Sequence, residues 1–261
     1  MATKDFGAIA DDYAFFMTQS TEAERDRHAY QQALTNFPDG RESIRVLDFG
    51  CGTGDFSVPL FTLLNWPRQT VQFTLLEPVK EQRETAAPRF QSLTDHPIEF
   101  LDSVERAPGE SYDLILANHV LYYVDDLNAT LDRLHTSLRA GGQFLLAIAG
   151  WDNPLMQLWQ TGFASRGLRV PYYAADDVEA AFTRQSVKYQ KSPVEYELRF
   201  PDSTENRMRI LQFLFGDHLS KLRLAPLLNA FNDWERGDEI LVTGTSQHFQ
   251  IAAPAEPKSP A

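Results

Sequence analysis

Between Val46 and Asp55 the chain reads Val-Leu-Asp-Phe-Gly-Cys-Gly-Thr-Gly-Asp, with glycines at 50, 52 and 54. Glycine lets the backbone turn tightly and lets a ligand approach the main chain. A helix that opens just after such a turn offers its first N–H groups to an anionic group. The acids in this stretch narrow the choice of ligand. A dinucleotide fingerprint needs a glycine at the sixth position counted from Gly50, where this chain has Asp55, and a carboxylate there repels a pyrophosphate. A P-loop needs a Gly-Lys-Ser/Thr ending, which the stretch lacks. S-adenosylmethionine (SAM) carries no phosphate. It presents a sulfonium cation, an amino group, a carboxylate and a ribose, and both acids are tolerable beside it. Asp48 is suited to hold the cationic amino group or the loop itself.

Two further acids follow in order. Glu77 stands at the end of the next apolar run, where an acid can accept hydrogen bonds from both ribose hydroxyls. Asp102 follows a third run with Ser103 beside it, where a polar residue can meet an adenine amino group. His119 falls just past a fourth run. At the carboxyl edge of a parallel sheet it can take a proton from an acceptor, or it is a buried histidine with a satisfied hydrogen bond. Tyr122 and Tyr123 come next, one expected to pack inward and the other to face a pocket.

These residues need elements to position them. Ile44–Phe49, Val71–Leu76, Ile98–Leu101, Tyr112–Asn118 and Gln143–Ala149 read as buried strands. Between them, Phe56–Trp66, the stretch up to Phe90, and Leu127–Leu138 read as helices, the last stopped by Gly141 and Gly142. Strands alternating with helices imply a parallel sheet with right-handed crossovers. Ahead of this core, residues 4–37 read as amphipathic helices, with Phe6, Ile9, Tyr13, Phe16 and Met17 at helical spacing before a break at Pro38, Asp39 and Gly40. Beyond Gly150, helices are expected over 152–165, 175–184, 203–216 and 219–234, and strands over 186–199 and 239–251. The tail from Pro254 is expected to be disordered. No internal repeat or clear linker is visible, so residues 1–253 read as one domain.

Composition excludes several classes. The chain has 261 residues and a formal charge of −12, so it lacks the clustered Lys and Arg that nucleic acid or an anionic membrane requires. A cationic small substrate suits it better. No apolar stretch approaches the roughly 18 residues of a membrane span, and the first ten residues do not read as a secretory signal. The single cysteine, Cys51, excludes an internal disulfide and points to the cytoplasm. Asp125-Asp126 precedes an apolar helix and reads as a cap rather than a metal site. No metal is expected. The chain is expected to act as a monomer or homodimer.

The segment Asp48–Gly54 resembles the first motif of class I SAM-dependent methyltransferases. Glu77 resembles their ribose acid, Tyr112–Asn118 their fourth-strand motif, and Leu138–Phe144 their turn into strand five. The resemblance implies a Rossmann-like α/β fold with a mostly parallel seven-stranded sheet, helices on both faces and an N-terminal helical lid over 1–40. SAM is the implied cofactor, with Gly50, Gly52, Gly54 and Asn118 in its motifs.

Across most of its length the chain is also similar to the histamine N-methyltransferase family. The matching segments are Gln19–Glu22, Glu77-Pro78 with Glu81-Gln82, Leu121–Val124, Gly150–Asp152 and Tyr172–Asp177. This resemblance implies that Gly50, Pro78 and Gln82 adjoin SAM and that Ser103 lies near adenine. It implies that Glu22, Tyr13, Phe16, Tyr123 and Tyr172 surround the acceptor, with Trp151 or Trp159 as a further wall. His119 stands where that family has glutamine, and about Gly244 where it has asparagine. Both positions touch the acceptor in that family, so the resemblance implies an amine acceptor and leaves histamine itself open. Glu22 would anchor an ammonium or an imidazole N–H, its alternative being a solvated helix acid. Two other readings stay open: O-methylation of a phenol or carboxylate with His119 as base, and a non-catalytic SAM-binding or partner-binding module.

Overall fold

The computed structural model describes residues 7–37 and 40–253. Phe6, Pro38, Asp39 and the expected tail from Pro254 lie outside them. Two helices come first, α1 (Ala10–Gln19) and α2 (Glu22–Ala33). The alternating core follows as β1 (Ile44–Phe49), α3 (Ser57–Leu64), β2 (Val71–Leu76), α4 (Lys80–Gln91), β3 (Glu99–Leu101), β4 (Tyr112–Asn118), α5 (Leu127–Thr136) and β5 (Leu138–Ala149). Beyond it come α6 (Pro154–Ala164), α7 (Ala175–Gln185), β6 (Gln190–Pro201), α8 (Thr204–Phe215), α9 (Leu224–Ala230), β7 (Glu235–Arg236) and β8 (Glu239–Ala252).

The sheet order is β3-β2-β1-β4-β5-β8-β6, with the two-residue β7 paired antiparallel to β8. The seven expected strands are therefore joined by an eighth, too short to leave a periodic signal. The β1/β2, β1/β4, β2/β3 and β4/β5 pairs are all parallel. Strand order reverses between β1 and β4, so their carboxyl ends open onto a crevice that ordinarily takes a ligand.

The residues gather into two compact units. One takes the chain up to Asp26, then Ala149–Asp176 and Pro193–Gln247. The other takes Arg27–Ile148, Asp177–Ser192 and the chain from His248. The second unit holds β1 to β4. Its core packs Val46, Phe73, Leu114 and Leu116 from the strands against Tyr30 and Leu34 of α2, Leu60 and Phe61 of α3, and Phe90 of α4. Strands covered on both faces are mostly apolar, which is why β1, β2 and β4 read as largely apolar runs with few polar interruptions.

At the amino end of β4 lies an acid that sequence reading did not single out. Asp113 is fully buried. It accepts from the Arg45 backbone N–H at 2.8 Å, pairs with the Arg41 guanidinium and has Arg139 Nη1 at 3.3 Å. A buried carboxylate with this many donors is a structural clamp.

Two expectations fail for local reasons. Gly141 and Gly142 do not end α5, which stops at Thr136 with Ser137 as its cap. Both glycines sit inside β5, which begins five residues early at Leu138. A Cβ on Gly142 would lie 3.0 Å from the Tyr112 carbonyl, beside the register shift between Tyr112 and Leu114. The glycines thus serve a close strand approach and a bulge. The helix expected over 219–234 is broken into a 3-10 turn (Gly216–Lys221), α9 and a second 3-10 turn (Phe231–Trp234). Pro226 is tolerated only in a first helical turn, so α9 starts at Leu224 rather than running through.

Candidate active site

The turn after β1 is built as its glycines require. Gly50, Gly52 and Gly54 have φ of 72°, 54° and 84°. Gly50 donates its N–H to the Leu76 carbonyl at 2.7 Å, and the Gly54 N–H reaches the Cys51 carbonyl at 2.9 Å. A Cβ on Gly50 would meet Val120 Cγ2 at 2.2 Å, so the exit of β4 lies directly on the turn. Gln82 of α4 lies over the same turn, its Oε1 3.6 Å from where a Gly52 Cβ would stand.

Asp55 has a different task from the one its position suggested. It accepts from Thr53 Oγ1 at 2.7 Å and from Arg89 Nη1 at 2.6 Å, and Arg89 also bonds the Thr53 carbonyl. Burial works to raise its pKa, but the hydrogen bonds from Thr53 and Arg89 outweigh burial and hold the carboxyl below its ordinary range. Asp55 therefore staples the outer side of the turn to α4.

Glu77 holds the inner side. Its Oε2 accepts from the Gly52 N–H at 3.1 Å and its Oε1 from the Val79 N–H at 2.9 Å. Desolvation raises its pKa against the effect of these bonds. Each carboxylate oxygen has a second lone pair, so a hydroxyl pair can still be accepted while the turn is held. Replacing Glu77 with Gln leaves one acceptor for two backbone donors. The expected loss of SAM affinity is about tenfold to a hundredfold, from the cost of removing hydrogen bonds to a charged group, with calorimetric titration as the measurement. Unchanged affinity would remove Glu77 from the cofactor site.

Asp48 is the other inward acid, 3% exposed. Ser57 hydrogen-bonds it, yet desolvation pushes its pKa up to about 7, with the nearby Glu77 charge adding to the rise. Its Oδ2 is buried without a hydrogen-bond partner, and so is Oδ1 of Asn118 at the end of β4. Both atoms are acceptors. A buried acceptor without a donor is costly, so this edge of the sheet suits a ligand that brings N–H groups. A phosphate brings none, whereas the ammonium of a methionine-derived cofactor brings three. Burial raises the Cys51 thiol far above its usual range, which removes it as a nucleophile.

His119 follows Asn118 with φ of 52°, a left-handed conformation that a non-glycine residue adopts at a cost of about 1–2 kcal/mol. Its N–H bonds the Ala147 carbonyl at 2.9 Å, and its ring Nδ1 lies 2.9 Å from the Tyr122 hydroxyl. The two rings stack at 16°. Tyr122 is buried and Tyr123 is half-exposed, as their alternation predicts. Pro78 is exposed. Asp102 is exposed and paired with Arg106 at 3.2 Å, while Ser103 precedes a short 3-10 turn, Val104–Arg106.

The remaining predicted residues lie in the first unit. Phe16 is buried and stacks on Phe213 with 4.4 Å between centroids, and Tyr13 meets the same ring at 5.7 Å. Trp159 is buried, donates Nε1–H to the Leu214 carbonyl at 2.8 Å and packs on Tyr172 at 4.5 Å. Burial and the Asp217 charge push the Tyr172 phenol up to about 12. Trp151 is half-buried, its backbone N–H on Asp176. Glu22 opens α2, and its carboxylate accepts from the buried Tyr196 hydroxyl. Sequence reading missed Tyr196, Phe213, Val120 and Arg89. None stands in a motif, and each acts through a partner distant in the chain. Asp126 caps α5 through the Ala129 N–H at 3.0 Å. Among the described residues, no group of three or more His, Cys, Asp or Glu is placed to hold a metal, and no helix is long and apolar enough to cross a membrane.

A turn of three positive-φ glycines, a carboxylate gripping it from β2 and orphaned acceptors at the β1/β4 exit fit a class I SAM-binding fold. Residues 22–186 match the family described as "Methyltransferase domain", and the chain belongs to that family of SAM-dependent methyltransferases. It is 34% identical over 121 residues to a malonyl-[acyl-carrier protein] O-methyltransferase of a Paenibacillus species, a match spanning 44% of this chain and 42% of that enzyme. It is 23% identical over 244 residues to histamine N-methyltransferase A of Xenopus laevis, spanning 84% of this chain and 79% of that enzyme. Among solved structures it is similar to the YcgJ protein of Bacillus subtilis, with a TM-score of 0.56 at 18% identity over 87% of this chain and 99% of that one. That likeness bears on the fold alone.

Proposed function

We propose that the protein transfers the methyl group of SAM to a nitrogen of a small amine or imidazole-type acceptor. The observation that carries this reading is Glu22, a carboxylate at the start of α2 whose direction is fixed by a hydrogen bond from a buried phenol. Such a group binds an ammonium or an imidazole N–H. The similarity to a histamine N-methyltransferase over most of both chains supports it, whereas the O-methyltransferase match covers less than half of each.

SAM, when bound, supplies an electrophilic methyl group on a sulfonium. The chain's own residues do the rest. Asp48 and Asn118 would hold its amino group and Glu77 its ribose hydroxyls, with Gln82 and the glycine turn beside them. Glu22 orients the acceptor by its positive end. An ammonium must shed a proton before its lone pair can attack, and a histidine such as His119 has the chemistry to take it. Holding the acceptor in line, with reacting atoms about 3–3.5 Å apart, supplies much of the acceleration. Half-exposed aromatic rings such as Tyr123 favour the cationic product face.

A second reading keeps the cofactor site and changes the acceptor. The His119–Tyr122 bond and the strained His119 backbone also suit a base that deprotonates a hydroxyl, with methylation at oxygen. A panel of amines and of hydroxyl and carboxylate compounds, assayed with radiolabelled SAM, separates the two. Amine methylation reduced about tenfold to a hundredfold by Glu22→Gln is the expected result. Methylation of hydroxyl or carboxylate acceptors alone, unaffected by Glu22→Gln but abolished by His119→Ala, would replace the amine reading. SAM binding without turnover on any compound would make the protein a non-catalytic binder.

A further inference from the structure

Glu22 is held by more than its own helix. The two residues before it pair with β6. Ser20 bridges Leu198 antiparallel, the Thr21 N–H bonds the Glu197 carbonyl at 2.9 Å, and the Glu197 N–H bonds Thr21 Oγ1 at 2.9 Å. Tyr196, next in β6, is 3% exposed and sends its hydroxyl to the Glu22 carboxylate. The same phenol oxygen accepts from Asn153 Nδ2 at 3.1 Å. Asn153 is itself fixed. It is 2% exposed, donates to the Thr245 carbonyl at 3.1 Å, and caps α6 by accepting the Leu155 N–H at 2.9 Å. Asp26, one turn along α2 from Glu22, is fully buried and its charge also reaches Tyr196.

The phenol occupies space that β8 leaves for it. A Cβ on Gly244 would stand 2.4 Å from Tyr196 Cζ and 2.6 Å from its hydroxyl oxygen. Gly244 is not in a left-handed conformation, so no turn demands glycine there. The demand is steric: any side chain at 244 displaces the ring that holds Glu22.

We infer that Tyr196 is the positioning residue of the acceptor site, aiming the Glu22 carboxylate at a cationic amine, and that Gly244 is the small residue that makes this arrangement possible. The inference rests on the reading of Glu22 as the amine anchor. A phenol that accepts one hydrogen bond from a fixed amide has its proton pointed in one direction, so the carboxylate it meets loses rotamer freedom before the ligand arrives. An acceptor that presents no positive charge gains nothing from this arrangement.

The test is Tyr196→Phe, which keeps the ring and removes the hydroxyl. With phenethylamine and histamine as probe acceptors, KM for the amine is expected to rise about tenfold to a hundredfold. In the same variant, SAM affinity by calorimetry stays within twofold and the melting curve stays cooperative. In a Glu22→Gln background the further change from Tyr196→Phe is expected to be small, because the two residues act as a unit. A loss for Glu22→Gln with none for Tyr196→Phe overturns this inference and spares the amine reading. No loss for Glu22→Gln overturns the amine reading itself. A binding readout free of turnover comes from protein labelled with 13C at tyrosine Cζ. The Tyr196 resonance, identified by its absence in Tyr196→Phe, is expected to move in Glu22→Gln, and a resonance that stays in place overturns the inference. Absence of turnover on both amines with that movement present also overturns it, reducing the bond to a structural one.

Discussion

Asp48→Asn is expected to yield a ligand-free protein that is more heat-stable than the parent at pH 8 and binds SAM about a hundredfold more weakly. Desolvation drives both results. Burial pushes the Asp48 carboxyl up to about 7 from an ordinary carboxylate value of 3.8. Between those two values the folded protein binds more protons than the unfolded chain, so stability falls as pH rises through that window. Three powers of ten in acidity correspond to about 4 kcal/mol, which is lost in full above pH 7. The amide carries no charge to desolvate but brings its own buried polar atoms, so a net gain of about 1–3 kcal/mol at pH 8 is expected. At pH 4 the gain should vanish. The orphaned Oδ2 that makes the parent less stable is also the atom suited to an ammonium, and a hydrogen bond of that charged kind is worth about 1.5–3 kcal/mol. Affinity of the parent for SAM should therefore weaken as pH drops through 7, and the variant should show no such slope. Thermal melts and calorimetric titrations at pH 5, 6, 7 and 8 measure both. A variant that is less stable at pH 8, or that binds SAM normally, removes Asp48 from this role.

Gly50→Ala is expected to cost the fold of the second unit about 2–5 kcal/mol and to abolish measurable SAM binding. Two penalties add. A left-handed φ of 72° costs a non-glycine residue about 1–2 kcal/mol. The methyl group would also stand 2.2 Å from Val120 Cγ2, an overlap of the kind that costs about 1–3 kcal/mol in a packed site. Gly40→Ala supplies the control, since Gly40 has φ of 69° and nothing within 4 Å of an added Cβ. It should show the backbone penalty alone. Val120→Ala in the Gly50→Ala background should recover part of the overlap cost but not the backbone cost. Chemical denaturation of the three variants resolves the two contributions, and equal losses for Gly40→Ala and Gly50→Ala would show that Val120 does not press on the turn.

Most of the sheet was legible because its strands are buried on both faces. Ile44–Phe49, Val71–Leu76 and Tyr112–Asn118 have the bounds that their apolar runs gave. The glycine turn was legible for a related reason: three glycines in five residues have few uses other than positive φ. What was not legible depended on partners far away in sequence. The early start of β5 needs the bulge opposite Tyr112, which no local window contains. Asp55 read as a charge facing the ligand because Arg89, 34 residues on, is invisible to motif reading. Gly244 read as a departure from a family pattern, and its cause, the Tyr196 ring, lies on another strand.

Strand β4 divides its work between its two ends. Asp113 near the amino end is saturated with guanidinium and amide donors, while Asn118 at the carboxyl end keeps an acceptor that nothing in the protein answers. Four residues separate a position that contributes to folding from one reserved for a guest. A substitution at the exit can then alter how the cofactor is held without disturbing the anchor beneath it.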